Sequence, residues 1–281
     1  MPVERAEAIA VNRERLSINQ ATTMPWSLAQ AIEGYARAGV PAISVWRDKL
    51  AEMGVEPAVR HLGEAGLVVT GLCRGGMFPA ADAAGRQAAL DDNRRAVDEA
   101  AAIGARGLIL VVGGLPEGSK DLAGAREQVH DGLAELLPYA REVGIPMAIE
   151  PLHPMYAADR ACVNTLGQAN DLCDQLGPGI GVAVDVYHLW WDPDLERQIA
   201  RAGERILAFH VCDWLVPTRD LLLDRGMMGD GVIDIPKIRG WVEAAGYRDF
   251  CEVEIFSERN WWQRDPDEVV ATCIERLATA V

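Results

Sequence analysis

Pro146-Met147-Ala148-Ile149-Glu150-Pro151 is a short apolar run that ends abruptly on a carboxylate, with a proline just behind it. The same event recurs three times downstream. Gly181-Val182-Ala183-Val184 ends on Asp185, Ile206-Leu207-Ala208-Phe209 ends on His210, and Cys251-Glu252-Val253 leads to Glu254. Runs that are apolar throughout, rather than alternating, suit parallel strands covered on both faces. Four consecutive strands thus each finish on a residue able to hold a metal ion.

Outward from this stretch, apolar runs alternate with longer segments of helical 3.6 period. A glycine stands at each return from helix to strand: Gly39, Gly66, Gly104, Gly144, Gly177, Gly203 and Gly246. Glycine there fits the left-handed cap that ends a helix. The pattern predicts strands over 16–19, 42–45, 67–72, 107–112, 146–150, 180–185, 206–211 and 250–255. Helices are expected over 28–38, 57–65, 87–103, 123–143, 165–176, 194–202, 236–245 and 266–278, with Pro236 and Pro266 in first turns. Eight such units point to an α/β fold of the (β/α)8 TIM barrel type, as a single domain over residues 1–281. An open doubly wound sheet is the rival. It normally carries a Gly-rich loop after its first strand, where this chain has Gln20-Ala21-Thr22-Thr23-Met24.

The formal charge is −15, from 27 basic and 42 acidic residues, and it argues against binding nucleic acid or anionic membrane. No apolar run approaches the roughly 20 residues needed to cross a bilayer. The first fifteen residues lack the apolar stretch of a secretory signal, so the cytoplasm is the expected compartment. Six cysteines form no Cys-x-x-Cys pair and are expected to be reduced, mostly buried thiols.

In a barrel the carboxyl ends of all strands share one face, so Glu150, Asp185, His210 and Glu254 would gather in a small volume. Three carboxylates crowded together in a poorly solvated place repel one another, a penalty that a divalent cation offsets. Three oxygen donors and one imidazole suit Mn²⁺ best, with Mg²⁺, Co²⁺ or Zn²⁺ as further possibilities. Glu252 competes with Glu254 because both point the same way from one strand; Glu254 is preferred as nearer the strand's end. His188, three residues past Asp185, is a candidate to polarise a substrate oxygen. His153 stands in the same relation to Glu150, but its flanking prolines hide its direction. Trp26, Trp46, Trp190, Trp191, Trp214, Trp261 and Trp262 all follow strands, on the proposed active face, where aromatic rings could stack on a sugar or anchor a subunit contact. The long irregular piece from about 213 to 235 reads as a lid or substrate loop.

Ala148-Ile149-Glu150-Pro151, Val184-Asp185-Val186-Tyr187-His188, Phe209-His210-Val211-Cys212-Asp213-Trp214, Gly229-Asp230-Gly231-Val232-Ile233-Asp234 and Val253-Glu254-Ile255 resemble the sugar isomerase and epimerase group with xylose isomerase-like barrels. That group includes tagatose/psicose 3-epimerases, hydroxypyruvate isomerase and inosose dehydratase, and is related to endonuclease IV. The resemblance implies that Glu150, Asp185, His210 and Glu254 bind one divalent ion, and that Glu150 and Glu254 act as catalytic acid and base. The reaction implied is isomerisation or epimerisation of a keto sugar through an enediolate. His188, Trp46, Trp214 and an arginine after the histidine ligand, Arg219 or Arg225, become substrate-binding candidates. A carbohydrate substrate and a homo-oligomer are the partners expected.

Three other readings share the fold. A lyase or dehydratase acting on a keto-inositol or 3-keto-glycoside would use the same first step, and a Trp-rich rim would favour its bulkier substrate. Phosphodiester hydrolysis needs more histidines than five and a basic groove. A non-catalytic sugar-binding barrel would tolerate Glu150→Gln. A phosphorylated substrate is not expected, because no Gly-rich loop with neighbouring cations is evident near strands seven and eight.

Overall fold

The computed structural model describes residues 13–281; the segment read above for a secretory signal lies, up to residue 12, outside the described residues. Eight parallel strands close on themselves: β1 Leu16–Asn19, β2 Ala42–Trp46, β3 Val68–Gly76, β4 Leu108–Val111, β5 Met147–Ile149, β6 Ile180–Asp185, β7 Ile206–Val211 and β8 Cys251–Val253. Each pairs with its sequence neighbours, and β8 pairs with β1. The helices α1 Leu28–Ala38, α2 Arg47–Met53, α3 Val55–Ala65, α4 Ala83–Ala102, α5 Leu122–Val143, α6 Leu166–Leu176, α7 Val186–Leu189, α8 Leu195–Ala202, α9 Ile235–Ala244 and α10 Pro266–Thr279 lie between and after the strands. This is the (β/α)8 barrel.

Local chemistry starts and stops the helices where the period suggested. Ser27 and Thr165 each open a capping box, with Gln30 and Gln168 three residues on. At the far end of α1, Gly39 adopts φ 69°, a left-handed cap that a side chain would strain. The short helix α2 was not expected, for Trp46 at its start offers no side-chain cap and its 7 residues are too few to show a period. Its first residue ties it down instead: Arg47 donates to Asp92 at 2.8 Å and to Glu99 at 2.6 Å, both on α4.

The apolar strands conceal an alternation of size. Met147 and Ile149 of β5, Ile180, Val182 and Val184 of β6, and Cys251 and Val253 of β8 face outward into the large core shared with the helices. Ala148, Ala183, Cys73 and Ile109 face inward and form a separate small cluster along the barrel axis. Strand geometry sends alternate residues to opposite faces, so Glu150 shares the inward side with Ala148, and Asp185 with Ala183. Small inward residues fill the floor and leave room above it for the polar ends.

After β7 the chain forms a two-stranded antiparallel ribbon, Asp213–Trp214 with Arg225–Gly226. The buried carboxylate of Asp213 accepts backbone N–H bonds from Trp214, Gly229, Gly231 and Ile233 at 2.8–3.0 Å. A single side chain thereby organises most of the irregular 213–235 piece. All six cysteines are buried and unpaired. No helix among the described residues is long and apolar enough to cross a membrane.

Candidate active site

Closure of the barrel sets the carboxyl ends of β5 to β8 side by side. Glu150 is the first residue beyond β5, Asp185 the last of β6, His210 the penultimate residue of β7, and Glu254 the first beyond β8. One ligand atom from each lies within 4.8 Å of the others, and all four residues are buried. Nδ1 of His210 faces this group, 2.9 Å from Glu150 Oε1 and 3.9 Å from Glu254 Oε2.

Glu252 lies next to His210 in register but is not one of the four. Its carboxylate accepts from Asn19 Nδ2 and from Thr70 Oγ1, both at 2.8 Å. It also stands 3.6 Å from His210 Nε2, a buried nitrogen with no hydrogen-bond partner. The same Asn19 amide donates to Glu254 Oε1 at 3.0 Å, and its oxygen accepts from the Trp46 indole at 2.7 Å. One amide thus fixes two glutamates and a tryptophan.

The ribbon delivers Arg225 to the cluster. Nη1 lies 3.2 Å from Asp185 Oδ2 and 3.1 Å from Glu254 Oε2, while Nη2 lies 3.1 Å from His188 Nε2. The guanidinium is sandwiched by the rings of Tyr187 and Phe256, at 4.4 and 4.9 Å from their centroids. It does not balance the site by itself, because Glu150, Asp185, Glu252 and Glu254 are four buried carboxyls. Burial pushes the Glu254 carboxyl up to about 7, against the pull of Arg225 and helped by Glu150. Burial also raises Asp185. Carboxyls that hold on to protons mark a poorly solvated place. At His210 burial works against the charged ring, but Glu252, Glu150 and Glu254 outweigh it and hold its proton affinity well above the usual range. The converging donors, their excess negative charge and the imidazole nitrogen aimed among them fit a divalent cation.

His188 behaves oppositely. Burial, followed by the charge of Arg225, holds it well below the ordinary histidine range, so the ring is neutral. The backbone N–H of His153 donates to its Nδ1 at 3.2 Å. Its Nε2 faces the Arg225 guanidinium, 3.1 Å from Nη2, a group that only donates.

The cavity above the cluster has a volume of about 140 Å³ and is walled by Trp46, Leu152, Tyr156, His188, Leu222, Arg225 and Phe256 among others. Tyr156 and Tyr187 both donate their phenols to the carbonyl of Leu221, fixing the segment that carries Leu222. Of the substrate candidates named from sequence, Trp46, His188 and Arg225 line this space. Trp214 and Arg219 do not. Trp214 packs against Tyr187 at 4.7 Å, His153 at 5.1 Å and Trp190 at 5.7 Å, while Arg219 is exposed and only its backbone N–H is engaged, by Asp224. His153 offers its backbone N–H to His188, and its ring accepts from the Met155 N–H at the start of the next turn. Two charged cavity residues, Arg74 and Arg160, are absent from the sequence candidates. Arg74 escaped because the third strand runs on to Gly76, beyond the expected end at 72, and carries Arg74 to the active face.

Residues 32–279 match the model of a family described as xylose isomerase-like TIM barrels. A solved structure of protein SMc04130 from Sinorhizobium meliloti 1021 is 61% identical, with a TM-score of 0.94 over 95% of this chain and 98% of that one. The structure of an IOLI protein with a bound zinc atom aligns with a TM-score of 0.82 at 20% identity, covering 95% of this chain and 100% of that one. D-allulose 3-epimerase from Methylomonas sp. aligns with a TM-score of 0.77 at 20% identity, covering 96% and 98% respectively. No curated protein sequence matches. With the model spanning all but the amino-terminal part of the barrel, and four strand ends meeting as that architecture requires, the chain belongs to the xylose isomerase-like TIM barrel family.

Proposed function

We propose that this protein is a divalent-metal-dependent isomerase or epimerase that moves a proton beside the carbonyl of a keto sugar. The observation that carries the reading is the placing of Glu150 and Glu254 in one buried cluster beneath one cavity. Two carboxyls placed under one cavity can take a proton from carbon and return it. Glu150, Asp185, His210 and Glu254 would hold the ion, which when bound supplies Lewis-acid stabilisation of negative charge developing on substrate oxygen. The oxygen-rich donor set favours Mn²⁺, and the zinc in the IOLI relative keeps Zn²⁺ in the comparison.

The remaining work belongs to the chain's own side chains. Glu254 and Glu150 remove and restore a proton at carbon. Neutral His188 lines the cavity beside Arg225, and Arg225 keeps Glu254 and Asp185 oriented through its two contacts. Trp46 and Phe256, edge to face at 5.5 Å, form an apolar wall that displaces water from the reacting carbon. The D-allulose 3-epimerase relative gives the same class of reaction on the same fold.

Elimination from a keto-inositol or 3-keto-glycoside would begin with the same proton removal. Its specific support, a Trp-rich rim, has thinned, because of the eight tryptophans Trp46 alone lines the cavity. One experiment separates the readings. The Mn²⁺-loaded protein is incubated in D₂O with a panel of ketoses, inosose and 3-keto-glycosides and followed by NMR. Deuterium entering a ketose supports the proposal, loss of a leaving group supports elimination, and no change in any compound overturns both.

A further inference from the structure

Arg74, near the end of β3, and Arg160, in the loop after β5, line the cavity together with Glu150, His188 and Glu254. The same two arginines, with Met77, Val111 and Asp159, also line a second recess. Both are only partly exposed. Several other shielded arginines have carboxylates: Arg47 has Asp92 and Glu99, Arg15 has Glu243, and Arg225 has Asp185 and Glu254; Arg126 instead donates to the carbonyl of Cys162. Among the described residues no carboxylate comes within 4.0 Å of the guanidinium of Arg74 or of Arg160; Arg160 has only the ring of Tyr156, 5.7 Å away. Burial lowers the proton affinity of Arg74, the charge of Arg160 lowers it further, and Glu150 pulls the other way. Arg74 therefore feels the reacting cluster on one side and a like charge on the other. Two partly shielded guanidiniums that touch no carboxylate are a cost that an anionic ligand relieves.

We infer that the substrate is a keto acid whose carboxylate is held by Arg74 and Arg160 while its carbonyl end faces Glu150 and Glu254, an inference that rests on the reaction proposed above. Planar guanidinium forks match a carboxylate in two-point hydrogen bonding. A phosphate in this kind of barrel draws on backbone amides after strands seven and eight. Here the amides of Gly229, Gly231 and Ile233 are already donated to Asp213. The substrate class is a polyhydroxy keto acid, a sugar oxidised at the end away from its ketone.

Matched ligands test this directly. D-Fructose, D-fructuronate and D-fructose 6-phosphate differ only at C6, and D-tagatose and D-tagaturonate form a second pair. Binding of each is measured by calorimetry to the full chain, with and without Mn²⁺, and to Arg74→Gln and Arg160→Gln. At least one ketouronate is expected to bind about tenfold or more tighter than its neutral ketose, and each substitution to erase most of that advantage. The inference is overturned if no acid outbinds its neutral partner, if the advantage survives both substitutions, or if the phosphate outbinds the uronate. The wild-type comparison alone decides the matter should either variant fail to fold. Acid binding without proton exchange in D₂O would refute the proposed reaction and leave the carboxylate site standing; exchange on neutral ketoses with unaltered kcat/KM in Arg74→Gln would do the reverse.

Discussion

Nη1 of Arg225 lies 3.1 Å from Oε2 of Glu254, so a permanent cation stands against a carboxyl that burial drives up to about 7. The same nitrogen reaches Asp185 at 3.2 Å. Breaking a buried pair by removing one partner leaves an uncompensated charge, worth about 3 kcal/mol or more. Arg225→Gln is expected to lower the melting temperature of the metal-free protein and to make added Mn²⁺ stabilise it more than it stabilises wild type. Equal metal-induced shifts in the two proteins would show that Arg225 does not offset the charge of the cluster.

Metal binding has a pH signature with a definite sign. The raised Glu254 carboxyl keeps its proton below about pH 7, so an entering cation must displace it there and need not at higher pH. Affinity of the metal-free protein for Mn²⁺ should weaken by up to about tenfold for each unit below 7 on account of this one proton. Calorimetry at pH 6 and 8, in two buffers of different ionisation enthalpy, reads both the affinity and the released proton. A flat profile would count against the assignment of Glu254 as a ligand.

Glu150→Gln and Glu254→Gln remove one proton carrier each while nearly preserving shape. Positioned acid–base groups contribute typically 10²–10⁴-fold, and exchange of substrate hydrogen with D₂O is expected to fall by about that factor in each variant. Retention of exchange within about threefold of wild type in both, far short of that loss, would remove the two glutamates from the chemistry.

Glu252 should respond differently from its neighbour two residues on. Glu252→Ala leaves Asn19 Nδ2 and Thr70 Oγ1 without their 2.8 Å acceptor, and an unsatisfied buried donor costs about 1–3 kcal/mol. The expected outcome is a lower melting temperature with one Mn²⁺ still bound per chain. Loss of the bound ion with unchanged stability would exchange the roles of Glu252 and Glu254.

The barrel and its four strand-end donors were legible because closure makes sequence separation irrelevant: any strand's last inward residue reaches the same face. Boundaries fixed by local chemistry, such as the Ser27 and Thr165 caps, could be read as well. What escaped depends on direction. Trp46 and Trp214 both follow strands and look equivalent on paper, yet one rings the cavity while the other fills space behind Tyr187. Arg219 and Arg225 flank one turn, and only the pairing of Arg225–Gly226 with Asp213–Trp214 decides which points inward. Arg74 was hidden by a strand four residues longer than its apolar run.

The carbonyl of Leu221 receives phenols from two different connections, Tyr156 after β5 and Tyr187 on α7. Any outward swing of this segment must therefore strip both hydroxyls from a single oxygen in one event. Entry and release of small molecules past Leu222 would then follow a two-state rhythm, and its tempo could be retuned by deleting a phenol without touching the chemistry below.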